Sequence, residues 1–222
     1  IDSDKINKKN ISKLVKTWEY RTHDNDKNSE IQTNPLIVDE KFYGVSPKLK
    51  LFSLEAKTGS ERWIFDPFQS DQKYFDKEDT SIHVCRGITY FEDKFKNAFI
   101  FYGVGSKLFK VNSLNGKPDL NFGDSGYVDL HKGLGENSSS LYVSMTSPGV
   151  IYNNLIIVGS RVSEGNPAAK GNIRAFDANT GDLIWIFKTI PEIGEDGHET
   201  YDNPDAYHRL GGANAWAGLT LD

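Results

Sequence analysis

The sequence predicts an all-β protein assembled from repeated antiparallel sheets, and three observations carry that reading. Short apolar runs alternate with Gly, Asn, Asp and Pro, the pattern of strands broken by turns. Aromatic residues reach 12% alongside 20 Gly, with little of the Ala and Leu periodicity of helices. An eleven-residue frame built around Thr-Gly and ending in Trp recurs along the chain.

In chain order, residues 11–18 can form a short helical turn, leading into a strand at 17–21. Residues 35–38, 39–40 and 41–45 then read as strand, turn and strand. Residues 98–102 (AFIFY) are an apolar run of strand length. A hairpin with the two-residue polar turn Asn153–Asn154 joins residues 150–152 to 155–159. The acidic, polar run 192–205, with Gly194 and Gly197, reads as an exposed loop. Lys5 to Lys13 reads as a solvated basic stretch.

The frame is clearest in residues 53–63 (SLEAKTGSERW) and 175–185 (AFDANTGDLIW). A degraded copy, 110–120 (KVNSLNGKPDL), has Leu120 where Trp should stand. Gly59, Gly116 and Gly181 are 57 and 65 residues apart, a blade-sized period once loops are included. The Asp or Asn and the Thr-Gly of the frame make a tight turn between antiparallel strands. Trp63 and Trp185, four residues after their glycines, then lie over a neighbouring sheet as packing residues rather than ligands. One such sheet cannot bury both faces, so stacking in a ring makes the core.

With 222 residues the chain suits one large or two ordinary domains and can bury a sizeable core. Lys and Arg number 26 against 31 Asp and Glu, a net charge of −5 that argues against nucleic-acid binding. Mean hydropathy is −0.53, and no apolar stretch reaches membrane-span length. Cys85 is the only cysteine, which rules out an intrachain disulfide and a zinc ribbon. His23, His131, His198 and His208 show no metal-ligand spacing, and no G-x-S-x-G, H-E-x-x-H or P-loop is present. A start at Ile1 without Met, and an abrupt end at residues 218–222, lead to the expectation of a piece of a longer chain.

The frame A-x-D-x-x-T-G-x-x-x-W resembles the tryptophan-docking motif of the eight-bladed quinoprotein dehydrogenases, which use pyrroloquinoline quinone (PQQ). Further segments resemble the membrane-bound glucose/quinate/shikimate dehydrogenase branch. These are residues 18–22 (WEYRT), 85–90 (CRGITY), 116–130 (GKPDLNFGDSGYVDL), 146–148 (TSP) and 209–216 (RLGGANAW), in the family order. The resemblance runs from Trp18 to Asp222. It implies an eight-bladed β-propeller of which residues 1–222 are a partial domain, about three to four blades, roughly the first half.

The implied function is PQQ-dependent oxidation of a sugar or polyol, with Ca²⁺ or Mg²⁺ beside the cofactor and electrons passed to a membrane quinone or cytochrome. The implied location is the periplasm, with attachment to the inner membrane through a segment outside this chain. The alternative is a non-catalytic propeller scaffold that binds protein or polysaccharide.

PQQ is a flat ortho-quinone with three carboxylates, so its site needs cations and N–H or O–H donors at the rim and an aromatic plate against its face. By resemblance Arg86 meets cofactor oxygens, its donor fork suiting carboxylates, although residue chemistry alone favours a surface ion pair. His83 precedes this segment, one residue short of the family spacing, and a solvated loop histidine is the other reading. Thr146 resembles a family threonine that donates to a PQQ carboxylate; otherwise it caps a turn before Pro148. Arg161 shares a loop with Glu164 and is a candidate cofactor contact. Glu164, counted from Gly159, matches the metal-binding acid, against the plainer reading of an exposed loop Glu. Gln32 stands where relatives have Glu, keeping hydrogen bonding but not charge. Trp216 resembles the floor under the PQQ ring, with core packing as its alternative.

In the family the substrate proton goes to an Asp in an H-D-x-W-D-type segment, expected here beyond Asp222. A later Lys at the quinone and the amide that completes the metal site are expected there too. No catalytic residue is therefore expected within the chain, and the 222-residue piece alone is expected to be inactive.

Overall fold

The structure, a computed structural model, describes residues 6–69, 74–75, 84–135 and 137–222. It contains three four-stranded antiparallel meanders. The first joins β1 (Leu36–Val38), β2 (Lys41–Val45), β3 (Leu51–Glu55) and β4 (Glu61–Phe65) in sequence order. The second joins β5 (Thr89–Glu92), β6 (Ala98–Val104), β7 (Lys107–Asn112) and β8 (Tyr127–Asp129). A short strand β9 (Val143–Ser144) precedes the third sheet, whose members are β10 (Val150–Tyr152), β11 (Leu155–Val158), β13 (Ile173–Asp177) and β14 (Leu183–Phe187). Between β11 and β13, β12 (Arg161–Val162) turns back to pair with β9. Helical structure among the described residues is limited to 3₁₀ turns, and none is long and apolar enough to cross a membrane.

The alternation of side chains along β6 shows how the sheets stack. Ile100 and Tyr102 join a core with Tyr43, Leu51, Trp63 and Phe65 of the first sheet. Phe99 and Phe101 point the other way, into a core with Ile156, Val158 and Phe176 of the third. The middle sheet is thus covered on both faces, and β6 is buried throughout after Ala98.

The repeated frame builds the same turn three times. Gly59, Gly116 and Gly181 donate to the carbonyls of Glu55, Asn112 and Asp177 at 2.8, 2.9 and 2.8 Å. Each has a positive φ (+72°, +72° and +80°) that favours glycine. Trp63 lies against Gly116 and donates its indole N–H to the Ser113 carbonyl at 3.1 Å. Trp18 does the same to the first sheet, lying against Gly59 and donating to the Ala56 carbonyl at 3.1 Å.

At the third turn the missing tryptophan is replaced by different chemistry. Leu120 is exposed. The Gly123 backbone packs on Gly181 and donates to the Thr180 carbonyl at 2.8 Å. Lys110, buried beneath, pairs with Asp119 at 2.8 Å, reaches the Asn179 carbonyl at 3.3 Å and lies 4.0 Å from the Phe99 ring centroid. Trp185 is on the outermost strand of the third sheet and remains 38% exposed, so it does not lie over another sheet of this chain.

One expected element is absent. Residues 17–21 are extended but join no sheet. Their side chains cross the face of the first sheet instead: Trp18 at its turn, and Tyr20 against Phe52 with its hydroxyl donating to Glu61 at 2.7 Å. The 11–18 turn shrinks to a 3₁₀ turn at Ile11–Lys13. Residues 192–205 form a mostly surface loop containing the 3₁₀ turn His198–Thr200.

A Cβ on Gly116 would stand 2.5 Å from Trp63 while φ stays at +72°. In the full-length protein Gly116→Ala is expected to cost about 2–4 kcal/mol, the sum of a backbone and a steric part. In a Trp63→Ala background only the backbone part, about 1–2 kcal/mol, should remain. Chemical denaturation of the four proteins checks this, and simple additivity would contradict the docking geometry.

Candidate functional site

The segments that lead into the sheets converge at one end of the stack. Residues 85–88 precede β5, residues 145–149 precede β10, and residues 211–218 return across them. The first two are joined by backbone hydrogen bonding, the Arg86 N–H donating to the Thr146 carbonyl at 2.8 Å. Pro148 packs on Gly87, and the Thr89 hydroxyl donates to the Gly149 carbonyl at 2.7 Å. Residues 33–34 join from the other side: the Thr33 hydroxyl donates to the Cys85 carbonyl at 2.6 Å, and the Asn34 N–H to the Arg86 carbonyl at 3.0 Å.

The stretch that brings in Trp216 is seated by close packing. The Gly171 N–H donates to the Gly212 carbonyl at 2.7 Å and the Gly212 N–H to the Ala169 carbonyl at 2.9 Å. Gly159 faces Ala215 so closely that a Cβ there would fall 2.1 Å from the Ala215 oxygen. The Ser147 hydroxyl donates to the Trp216 carbonyl at 2.6 Å. The indole, 46% exposed, lies over the Arg86 guanidinium, whose carbon is 5.1 Å from the ring centroid.

Two donors at this place are unsatisfied. Arg86 Nη1 and Thr146 Oγ1 are both buried without a hydrogen-bond partner among the described residues. A buried donor left unpaired costs on the order of 1–3 kcal/mol, and these two sit on segments joined by the Arg86–Thr146 backbone hydrogen bond, with the indole over Arg86, so both can donate to a ligand oxygen. Their chemistry fits a flat polycarboxylate: one fixed guanidinium, one hydroxyl, one indole face.

The other expected site residues stand at different distances from this cluster. Arg161, partly buried on β12, is register partner of Ser144 on β9, two residues before Thr146. Gln32 donates to Glu30 at 2.9 Å, which brings a carboxylate beside the amide. Glu164 is exposed beyond β12, and among the described residues no three His, Cys, Asp or Glu side chains gather as a metal set. His83 lies outside the described residues. Cys85 is buried, its thiol donating to the Gly87 carbonyl at 3.2 Å, and burial pushes its pKa up to about 11. It therefore stays protonated and unreactive. In the sequence Ser147 is only the middle of the 146–148 segment, with no role of its own, and Gly159 is only a glycine that ends a strand.

A family model described as PQQ: Glucose/ethanol/alcohol dehydrogenase, beta-propeller domain, matches residues 2–222. Quinate/shikimate dehydrogenase (quinone) of Acinetobacter baylyi is 29% identical over 248 residues, covering 99% of this chain and 29% of the relative. Quinoprotein glucose dehydrogenase of Escherichia coli is 30% identical over 242 residues, covering 98% and 28%. Among solved structures, a europium-containing methanol dehydrogenase matches with a TM-score of 0.61 at 20% identity, over 84% of this chain and 29% of that one. Quinohemoprotein alcohol dehydrogenase from Comamonas testosteroni gives 0.55 at 19%, over 74% and 22%. These structural likenesses establish the fold. The chain spans less than a third of the length of these relatives.

The loop that delivers residues 143–149 is held by an ionisable pair. His131 Nδ1 is 2.7 Å from Asp129 Oδ1, and Nε2 is 3.0 Å from the Leu141 carbonyl. Both partners are acceptors, so only the imidazolium satisfies both. The hydrogen bond to Asp129 accordingly raises the His131 pKa, with the Leu141 carbonyl adding to it, while burial and the Arg174 charge oppose. The same bond lowers the Asp129 pKa. Arg174 ties this region in, donating to the Leu130 carbonyl and the Ser160 hydroxyl. A raised histidine pKa stabilises below its unfolded value near 6.5 and is lost as pH rises through the folded value; the lowered carboxylate contributes above its unfolded value near 3.8. The stability gap between wild type and His131→Gln in the full-length protein is therefore expected to peak at about pH 5–6 and to shrink above about pH 7. Denaturation midpoints across that range check it; a pH-independent gap would remove the imidazolium from the account.

Proposed function

The chain belongs to the glucose/ethanol/alcohol dehydrogenase β-propeller family of PQQ proteins, and from that premise we propose that it forms part of the cofactor site of a PQQ-dependent sugar or polyol dehydrogenase. The observation that carries this reading is the pair of buried, unpartnered donors on joined segments, Arg86 Nη1 and Thr146 Oγ1, with the Trp216 indole over Arg86.

When bound, PQQ supplies the two-electron acceptor for oxidation of an alcohol carbon. This chain's residues hold and orient. Arg86 donates from its fixed fork to an acceptor at the rim, a charge-assisted bond about twice the strength of a neutral one. Thr146 adds a hydroxyl from the adjoining segment. Trp216 presents a flat face that fixes the plane. Arg161 and Gln32 are further candidate cofactor contacts, and Glu164 would be one carboxylate ligand to Ca²⁺ or Mg²⁺, with further ligands from outside this chain.

Glucose, glycerol and quinate or shikimate appear in the names of relatives, which supports a polyhydroxylated substrate. The base that takes the substrate proton lies outside residues 1–222 in this reading. A membrane quinone or a cytochrome receives the electrons, in the periplasm.

Full-length apo-protein titrated with PQQ is expected to bind it in the presence of Ca²⁺ or Mg²⁺ and not in EDTA, with quenching of indole emission. Trp216→Phe should remove most of that quench. Arg86→Ala should weaken binding roughly 10- to 100-fold, the range for a hydrogen bond to a charged group. No quench, together with no dye reduction on any sugar or polyol at saturating PQQ, would overturn the reading in favour of a scaffold that binds protein or polysaccharide.

A further inference from the structure

The aromatic plate is tied to the rest of the site by close packing and by few hydrogen bonds. Among the described residues, the bond from the Ser147 hydroxyl to the Trp216 carbonyl is the one hydrogen bond that holds residues 213–222. Behind it there is packing: Asn214 against Gly171, Ala215 against Gly159, and Gly218 at 3.7 Å from Ser147 Cβ. The indole itself is 46% exposed and rests on the Arg86 guanidinium. A half-exposed ring on an extended stretch has many rotamers and backbone positions open to it, and ordering it costs entropy.

Ser147 occupies a junction. Its neighbour Thr146 offers the unpartnered hydroxyl, and the carbonyl of Thr146 accepts from the Arg86 backbone at 2.8 Å. Its other neighbour, Pro148, sits on Gly87. One tripeptide therefore fixes the two donors relative to each other and, through a single side chain, fixes the plate relative to both. We infer that Ser147 is a positioning residue for the cofactor site, acting through the Trp216 backbone to hold the indole over Arg86. It has no contact with the ligand in this role. The inference rests on the proposed PQQ site for its consequence, but the tether itself can be read without PQQ.

Ser147→Thr and Ser147→Val separate the hydroxyl from the shape, because the two replacements differ by little else. In the full-length apo-protein, Trp216 emission is obtained as the difference between each protein and its Trp216→Phe derivative. Release of the indole from the guanidinium is expected to change that emission in Ser147→Val and to leave it as in wild type in Ser147→Thr. PQQ titration should show Ser147→Val weakened about five- to tenfold, the worth of one ordinary hydrogen bond, with Ser147→Thr within about twofold. Unchanged apo emission in Ser147→Val overturns the inference, whatever PQQ does. Failure of wild type to bind PQQ overturns the proposed function instead, while the emission comparison still decides the role of Ser147.

Discussion

The architecture depends on an indole docked on a glycine turn. A four-stranded sheet has two faces and no means of covering both, so each must find a neighbour. Trp63 makes that attachment directional between the first two sheets, and Trp18 docks the 17–21 segment on the first in the same way: the ring lies on a glycine that has no Cβ to obstruct it, and the indole N–H takes the carbonyl three residues earlier. Apolar burial supplies most of the energy, and the hydrogen bond supplies the register. With register fixed at the turn end, the opposite ends of the strands are fixed too. The segments carrying Arg86, Thr146 and Trp216 converge there.

Between the second and third sheets the same task is done without tryptophan. Gly123 donates its backbone N–H to Thr180, and Lys110 reaches under the turn to the Asn179 carbonyl while paired with Asp119. A buried ammonium is stable here because a carboxylate, a carbonyl and two aromatic faces surround it. The two devices differ in kind, one mostly apolar and one mostly polar, yet both bring a turn of one sheet onto its neighbour. The His131–Asp129 pair and Arg174 work on the following loop, so the polar seam continues into the segment that carries Thr146.

Much of this was legible in the sequence because it is local. The Thr-Gly turns and the 150–159 hairpin follow from residue types within a few positions, and all form. The segments of Arg86, Thr146 and Trp216 stand out by motif, and they adjoin in the structure. Residues 17–21 were misread as a strand because Trp, Tyr and Thr favour strands whether or not a partner edge is available. The partner edge is a long-range fact, and here the segment lies across a face instead. Leu120 signalled a degraded repeat but not its replacement, since Gly123 and Lys110 act over 57 and 69 residues of separation, the first to Thr180 and the second to Asn179. Ser147 was silent for the same reason: its partner is 69 residues away.

The unpartnered Arg86 and Thr146 donors also bear on the protein's survival. Each lowers the free-energy gap between folded and unfolded chains for as long as it stays unmatched, and an acceptor that binds only the folded form restores the gap by mass action. A molecule built this way has its resistance to proteolysis coupled to supply of its ligand. If that acceptor is the proposed cofactor, the empty protein is the form turnover removes first, and abundance would follow cofactor supply.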